Sequence, residues 1–151
     1  MAISVALLLV FVKKGQARTA FFAFMLAQLF SWPLTILYVL FGLQQNPVRL
    51  FPHATESNFL FAFIFHPSVF AVYYLKYPKR ARRSLRFLYT ALITPLPLLT
   101  MLLTAYLTNL IYFPHKAVFL ATYIIIIILF TVSRIYIDRY LSKVHHPARN
   151  Q

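Results

Sequence analysis

His66 sits in the middle of a long apolar stretch, directly before Pro67, and its imidazole is the group in this sequence most easily put to chemical use. If the stretch lies in lipid, an ionisable side chain at that depth is expensive unless it faces the interior of a helix bundle. A ring that titrates near neutrality suits a proton relay. The structural alternative is a neutral imidazole hydrogen-bonded to a neighbouring helix, to Gln28, or to a carbonyl freed by proline. The structural alternative is favoured, because only two acids occur in the chain and neither lies in an apolar stretch to act as the carboxylate of a proton-coupled carrier.

Other chemical constellations are weaker. His53, Glu56 and His115 offer imidazole and carboxylate donors acceptable to zinc, but they come from two connections and lack the helical spacing of a metalloprotease motif. Glu56 is better read as a cap for the following helix or a partner for Arg49. Arg134 and Asp138 are four apart and form an ordinary helix pair, not a catalytic dyad. His145 and His146 belong to a solvated tail. No hydrolytic mechanism can be assembled from these groups, and the expectation is a protein without enzymatic activity. Absence of cysteine excludes disulfides and thiol chemistry, and two glycines leave no room for a Walker loop or a dinucleotide fingerprint, so no cofactor is expected.

The elements that must hold these residues are set by composition. Of 151 residues, 61% are hydrophobic, 18% aromatic and only 11% charged, against about a quarter charged in soluble domains. A water-soluble core of this length needs a polar majority outside, which this chain cannot supply. The fold class expected is all-α: a polytopic transmembrane bundle of four or five helices in a single integral membrane domain. Apolar segments at 1–12, 19–43, 59–75, 87–113 and 117–137 are separated by polar or basic punctuation, and the last four approach the roughly 20 residues needed to cross a bilayer. The first reaches only about 18 Å; it reads as an uncleaved anchor that either spans a thinned bilayer or lies tilted at the interface. Alternation of Phe59, Phe61, Phe63 and Phe65 does not make a strand, because the residues between are also apolar and a run in lipid must close its own hydrogen bonds.

Cations are distributed unevenly. Lys13, Lys14, Arg18, Lys76, Lys79, Arg80, Arg82, Arg83, Arg86, Arg134, Arg139, Lys143 and Arg149 fall on one side of this topology, and only Arg49 and Lys116 on the other. Positive residues in short connections stay cytoplasmic, which places the C-terminus and the tail 138–151 inside. Tyr77, Tyr112 and Tyr140 suit interfacial anchoring, whereas Trp32 lies too deep, and Arg134 is close enough to the boundary to snorkel. Lys76, Lys79, Arg80, Arg82, Arg83 and Arg86 form a basic cluster that anchors the topology and can hold anionic lipid headgroups, at about 1 kcal/mol per cation near the surface. Nucleic acid is not an expected partner, since no aromatic-lined module accompanies the cluster.

Within the spans, Ala23, Ala27, Ser31 and Thr35 recur every four residues, as do Thr100, Thr104 and Thr108. Such stripes let a neighbouring backbone approach, so they are read as packing seams and as the places for a homo-oligomer contact or another membrane protein. Pro33, Pro67, Pro95 and Pro97 each remove an N–H and orphan a carbonyl one turn earlier. Gln28, Ser31, Ser68, Thr94 and Thr100 are near enough to answer. The same combination of bent helices and polar side chains is how transporters build a central site.

Ser31, Trp32, Pro33, Leu34 and Thr35, then Gly42, then Asn46 to Pro52 and Tyr77, Pro78 and Lys79, resemble an uncharacterised family of small multi-pass integral membrane proteins of spore-forming Gram-positive bacteria. The resemblance covers roughly residues 18–140 and implies a bacterial cell-membrane location. It implies no activity and no functional residues. The functional expectation is a non-enzymatic scaffold or interaction protein; the alternative is a small transporter or channel subunit with a path near His66 and Gln28.

Overall fold

The computed structural model describes residues 8, 10–46, 60–108, 112–113 and 117–145, and these are helical almost throughout. A short 3-10 turn, Lys14–Gln16, leads into α1, Ala17–Leu40. A π-helical turn, Leu60–Phe65, runs into α2, His66–Lys76. The helix α3, Arg83–Ile93, passes through Thr94 into α4, Pro95–Leu107, and α5 covers Ala117–His145.

Where the sequence predicts four or five spans, three stretches among the described residues are long and apolar enough to cross a bilayer: Ala17–Leu40, Arg83–Leu107 and Val118–Ser142. The segment predicted at 59–75 is realised as the π turn plus α2, an 11-residue helix that reaches about 17 Å. That short helix is the most enclosed of all. Pro67, Ser68, Val69, Phe70, Ala71, Tyr73 and Tyr74 are buried on it. Ala23 of α1 packs into the same core, as do Ile126, Phe130 and Ile137 of α5. Phe70 meets Phe130 edge-on with ring centroids 5.0 Å apart, and Tyr73 stacks on Tyr89 of α3 at 5.6 Å. Aromatic pairs of this kind contribute about 1 kcal/mol beyond the area they bury.

The long helices present their other faces outward. Phe21, Leu29 and Leu40 of α1, Phe87 and Leu92 of α3, Leu99 and Leu107 of α4, and Leu120 and Ile128 of α5 are all exposed. Apolar surface this continuous belongs against lipid or another apolar surface, not water.

Element ends differ from the predicted ones for identifiable reasons. α1 stops at Leu40, before the predicted 43, because Gly42 takes φ +67°. Its N–H reaches the Val39 carbonyl at 3.0 Å and that of Leu43 reaches Tyr38 at 2.8 Å, which together make a Schellman cap. α3 begins at Arg83, not 87, and α5 runs through His145, so residues 138–145 of the predicted tail are helical. Hydropathy marks where lipid contact stops; backbone hydrogen bonding continues into the polar residues beyond. The span predicted to reach 113 leaves helical geometry at Thr108, whose backbone is extended. Most of segment 1–12, the residues His53, Glu56 and His115, and Arg49 and Lys116 lie outside the described residues.

Chain direction alternates, so the cations gather. Phe22, near the start of α1, stacks on Tyr140, near the end of α5, at 5.1 Å. Lys76 lies 5.8 Å over the ring of Phe11. At the opposite end, Tyr38 approaches Thr122, and the backbones of Gln45 and Tyr112 exchange two hydrogen bonds of 2.8 Å.

Candidate functional site

Two recesses are the places where polar side chains collect. The first is a partly open cavity of about 70 Å³ at the level of His66, between α1, α2, α4 and α5. His66 and Phe70 line it from α2, Ala27, Ser31, Thr35 and Tyr38 from α1, Pro97 and Met101 from α4, and Thr122 and Ser133 from α5. Three members of the α1 stripe thus face this cavity, and the fourth, Ala23, is buried in the adjoining core. On this side the stripe is turned toward the chain's own helices α2, α4 and α5.

Several polar groups in and beside the cavity donate to backbone. Thr35 Oγ1 donates to the Ser31 carbonyl at 2.9 Å. Thr122 Oγ1 donates to Val118 at 2.7 Å and lies 3.1 Å from the Tyr38 hydroxyl. Ser68 Oγ donates to Ile64 at 2.7 Å. Gln28 Nε2 donates to the Phe63 carbonyl at 3.2 Å. That carbonyl is four residues before Pro67, so it is the one that proline, having no N–H, cannot answer. Pro95 repeats the arrangement: the carbonyl four residues earlier, Ala91, accepts from the Tyr123 hydroxyl at 3.3 Å. Two proline-freed carbonyls are each met by a side chain from a different helix. Gln28 was legible in that role from the sequence; Tyr123 was not, since only the α3–α5 packing brings it there.

Thr100, Thr104 and Thr108 behave differently from a seam. Their hydroxyls donate to Pro97, Thr100 and Thr104 of their own helix at 2.8, 2.8 and 2.7 Å, and none of the three is buried. Threonine spacing of four satisfies each hydroxyl within the helix, so it requires no neighbour.

The second recess lies at the cationic end, a hollow of about 450 Å³ between Tyr77, α3 and α5. Arg83 and Arg86 of the basic cluster line it with Arg134. Lys76, Arg80 and Arg82 are exposed outside it. Lys79 instead forms an ion pair with Asp138 at 2.7 Å, and the Tyr74 hydroxyl also donates to this carboxylate at 2.9 Å. The helix pair expected between Arg134 and Asp138 is therefore loose, at 3.9 Å, because Asp138 is shared with a cation 59 residues away in sequence. Arg134 places its guanidinium 4.2 Å over the Tyr77 ring. Burial alone would lower the Lys79 ammonium, but its hydrogen bonds to Asp138 and Tyr74 outweigh that and raise it above its ordinary value.

Comparison finds no matching family model, no similar curated protein and no similar solved structure. Among the described residues, no group of three potential metal ligands converges.

Proposed function

We propose that the chain is a non-enzymatic, multi-pass protein of a bacterial cell membrane, with its cationic end and C-terminus cytoplasmic, acting by packing with lipid or with another membrane protein. The observation that carries this reading is the use made of intramembrane polar side chains. Gln28 and Tyr123 answer proline-freed carbonyls, and Thr35, Ser68 and Thr122 answer carbonyls of their own helices. These groups build the bundle, as buried polar groups in lipid must, and among the described residues they are not arranged around a reacting atom. The exposed apolar faces of α1, α3 and α5 are then the working surface.

A second reading, a small carrier or channel subunit, draws on one feature: the cavity that brings His66 together with the hydroxyls of Ser31, Thr35, Tyr38, Thr122 and Ser133. Affinity capture from gently solubilised membranes, combined with proton flux in reconstituted vesicles, separates the two. A scaffold is recovered with a stoichiometric membrane-protein partner, and its His66→Phe variant behaves as wild type in vesicles. Recovery without a partner, together with proton flux abolished by His66→Phe, overturns the scaffold reading in favour of the carrier. Reporter fusions after Tyr77 and at Gln151 should both report the cytosolic side; export of either overturns the orientation.

A further inference from the structure

We infer that the recess between Tyr77, α3 and α5 is a binding site for the phosphate of one anionic phospholipid, held at the junction of headgroup and acyl chain. This rests on the membrane reading above but not on the scaffold role. Three arginines, Arg83, Arg86 and Arg134, line the recess, which at about 450 Å³ falls within the ordinary range of small-molecule sites. The Nε atoms of Arg86 and Arg134 are buried, and among the described residues neither has a hydrogen-bond acceptor. A buried guanidinium N–H without an acceptor is costly, so the arrangement calls for a ligand that supplies acceptors.

The protein itself cannot supply the charge. Asp138 is the only acid among the described residues, and its closest cation is Lys79 at 2.7 Å, with Arg134 at 3.9 Å. Phosphate fits what remains, since its oxygens match the planar fork of arginine in pairs. The other walls of the recess identify the source of that phosphate. Phe87 and Ile127 line it beside the arginines, and Phe87 is among the exposed apolar residues of α3. A free inorganic anion gains nothing from those side chains, whereas a lipid lays its glycerol and first methylenes along them. Basic pockets between helices at a membrane's inner surface take anionic headgroups by this combination.

The test uses the purified full chain in detergent, with bound lipid counted by native mass spectrometry during titration with dioleoyl-phosphatidylglycerol, and with dioleoyl-phosphatidylcholine as the zwitterionic control. Wild type should retain one phosphatidylglycerol and bind phosphatidylcholine at least tenfold more weakly. Arg86→Gln and Arg134→Gln should each weaken phosphatidylglycerol at least tenfold, while Arg80→Gln, an exposed charge outside the recess, changes it less than twofold. Arg86→Lys keeps the charge and the fold but loses the fork, and should weaken binding severalfold at unchanged thermal stability. Equal losses for Arg80→Gln and Arg86→Gln, or an Arg86→Lys variant that binds as wild type, would mean diffuse surface attraction and overturn the site. Full displacement of the lipid by millimolar inorganic phosphate would overturn the lipid assignment. A chain recovered from cells without detergent defeats the membrane reading itself; one that needs detergent but retains no lipid defeats only this proposal.

Discussion

The cavity at His66 and the arginine recess are both lined by polar side chains, yet they are opposite in what they leave undone. Around His66, hydroxyls and the nearby Gln28 amide donate to main-chain carbonyls, most of them one turn earlier on the same chain segment. At the cationic end, the Nε groups of Arg86 and Arg134 are buried, and the one described carboxylate, Asp138, is held by Lys79 at 2.7 Å with Arg134 at 3.9 Å. Neutral donors can be satisfied by backbone, since a helical carbonyl has a second lone pair for a side-chain hydroxyl one turn on. Cations need a counter-charge, and this sequence, with fifteen Lys and Arg against two acids, cannot provide it internally. The hydroxyls of one recess are thus met by main chain, while the cations of the other are left short of counter-charge, which the proposed lipid supplies.

That contrast can be broken at several points. The largest effect is expected from Phe70→Ala, which enlarges the cavity at its contact with Phe130 and should destabilise the bundle by about 3–5 kcal/mol in detergent unfolding. A loss below about 1 kcal/mol would mean the cavity is not a packed region at all. Next comes Gln28→Leu, expected to cost about 1–2 kcal/mol by removing the amide's bond to the Phe63 carbonyl. The same change in a Pro67→Ala background, where residue 67 regains an N–H, should cost less; equal costs would detach Gln28 from the proline.

Gly42→Ala tests the end of α1 and should cost about 1 kcal/mol, since an L side chain resists φ +67°. At the cationic end the effects shrink. A double-mutant cycle between Lys79→Gln and Asp138→Asn should give a coupling under about 1 kcal/mol, because both side chains keep solvent contact. Its pH dependence has a definite sign. The Lys79 ammonium is raised by folding, so its contribution is fully present below the ordinary lysine value of 10.5 and is lost only as pH climbs through the folded value. Stability read between pH 6 and 9 should owe no slope to Lys79. Smallest of all, Arg86→Gln in lipid-free detergent should change stability by no more than about 0.5 kcal/mol, as no acceptor is lost at its Nε. A large loss there would show the recess to be as internally satisfied as the cavity.

Much of the helical architecture is legible in the sequence. Apolar runs of bilayer length, bounded by cations on alternate connections, lead directly to long helices whose basic ends gather on one side. The requirement that proline-freed carbonyls be answered pointed to Gln28. It did not point to Tyr123 or to the enclosure of α2, since hydropathy alone does not distinguish an apolar helix wrapped by its neighbours from one facing lipid. The α1 stripe read as a packing seam lies within the chain's own bundle, whereas Thr100, Thr104 and Thr108 share its spacing without its burial. Period four reports a common face, not what covers that face.

What the residues determined on their own is the class of molecule, because burial of backbone and side chain in an apolar medium depends on local composition and span length. Partner choice across the bundle was decided only in three dimensions. Asp138 met Lys79, 59 residues away, ahead of its helical neighbour Arg134, and two arginine Nε groups were left facing none of the described acceptors. Electrostatic pairing depends on distances of a few ångströms between side chains from different helices, and those distances exist only once the rods have packed.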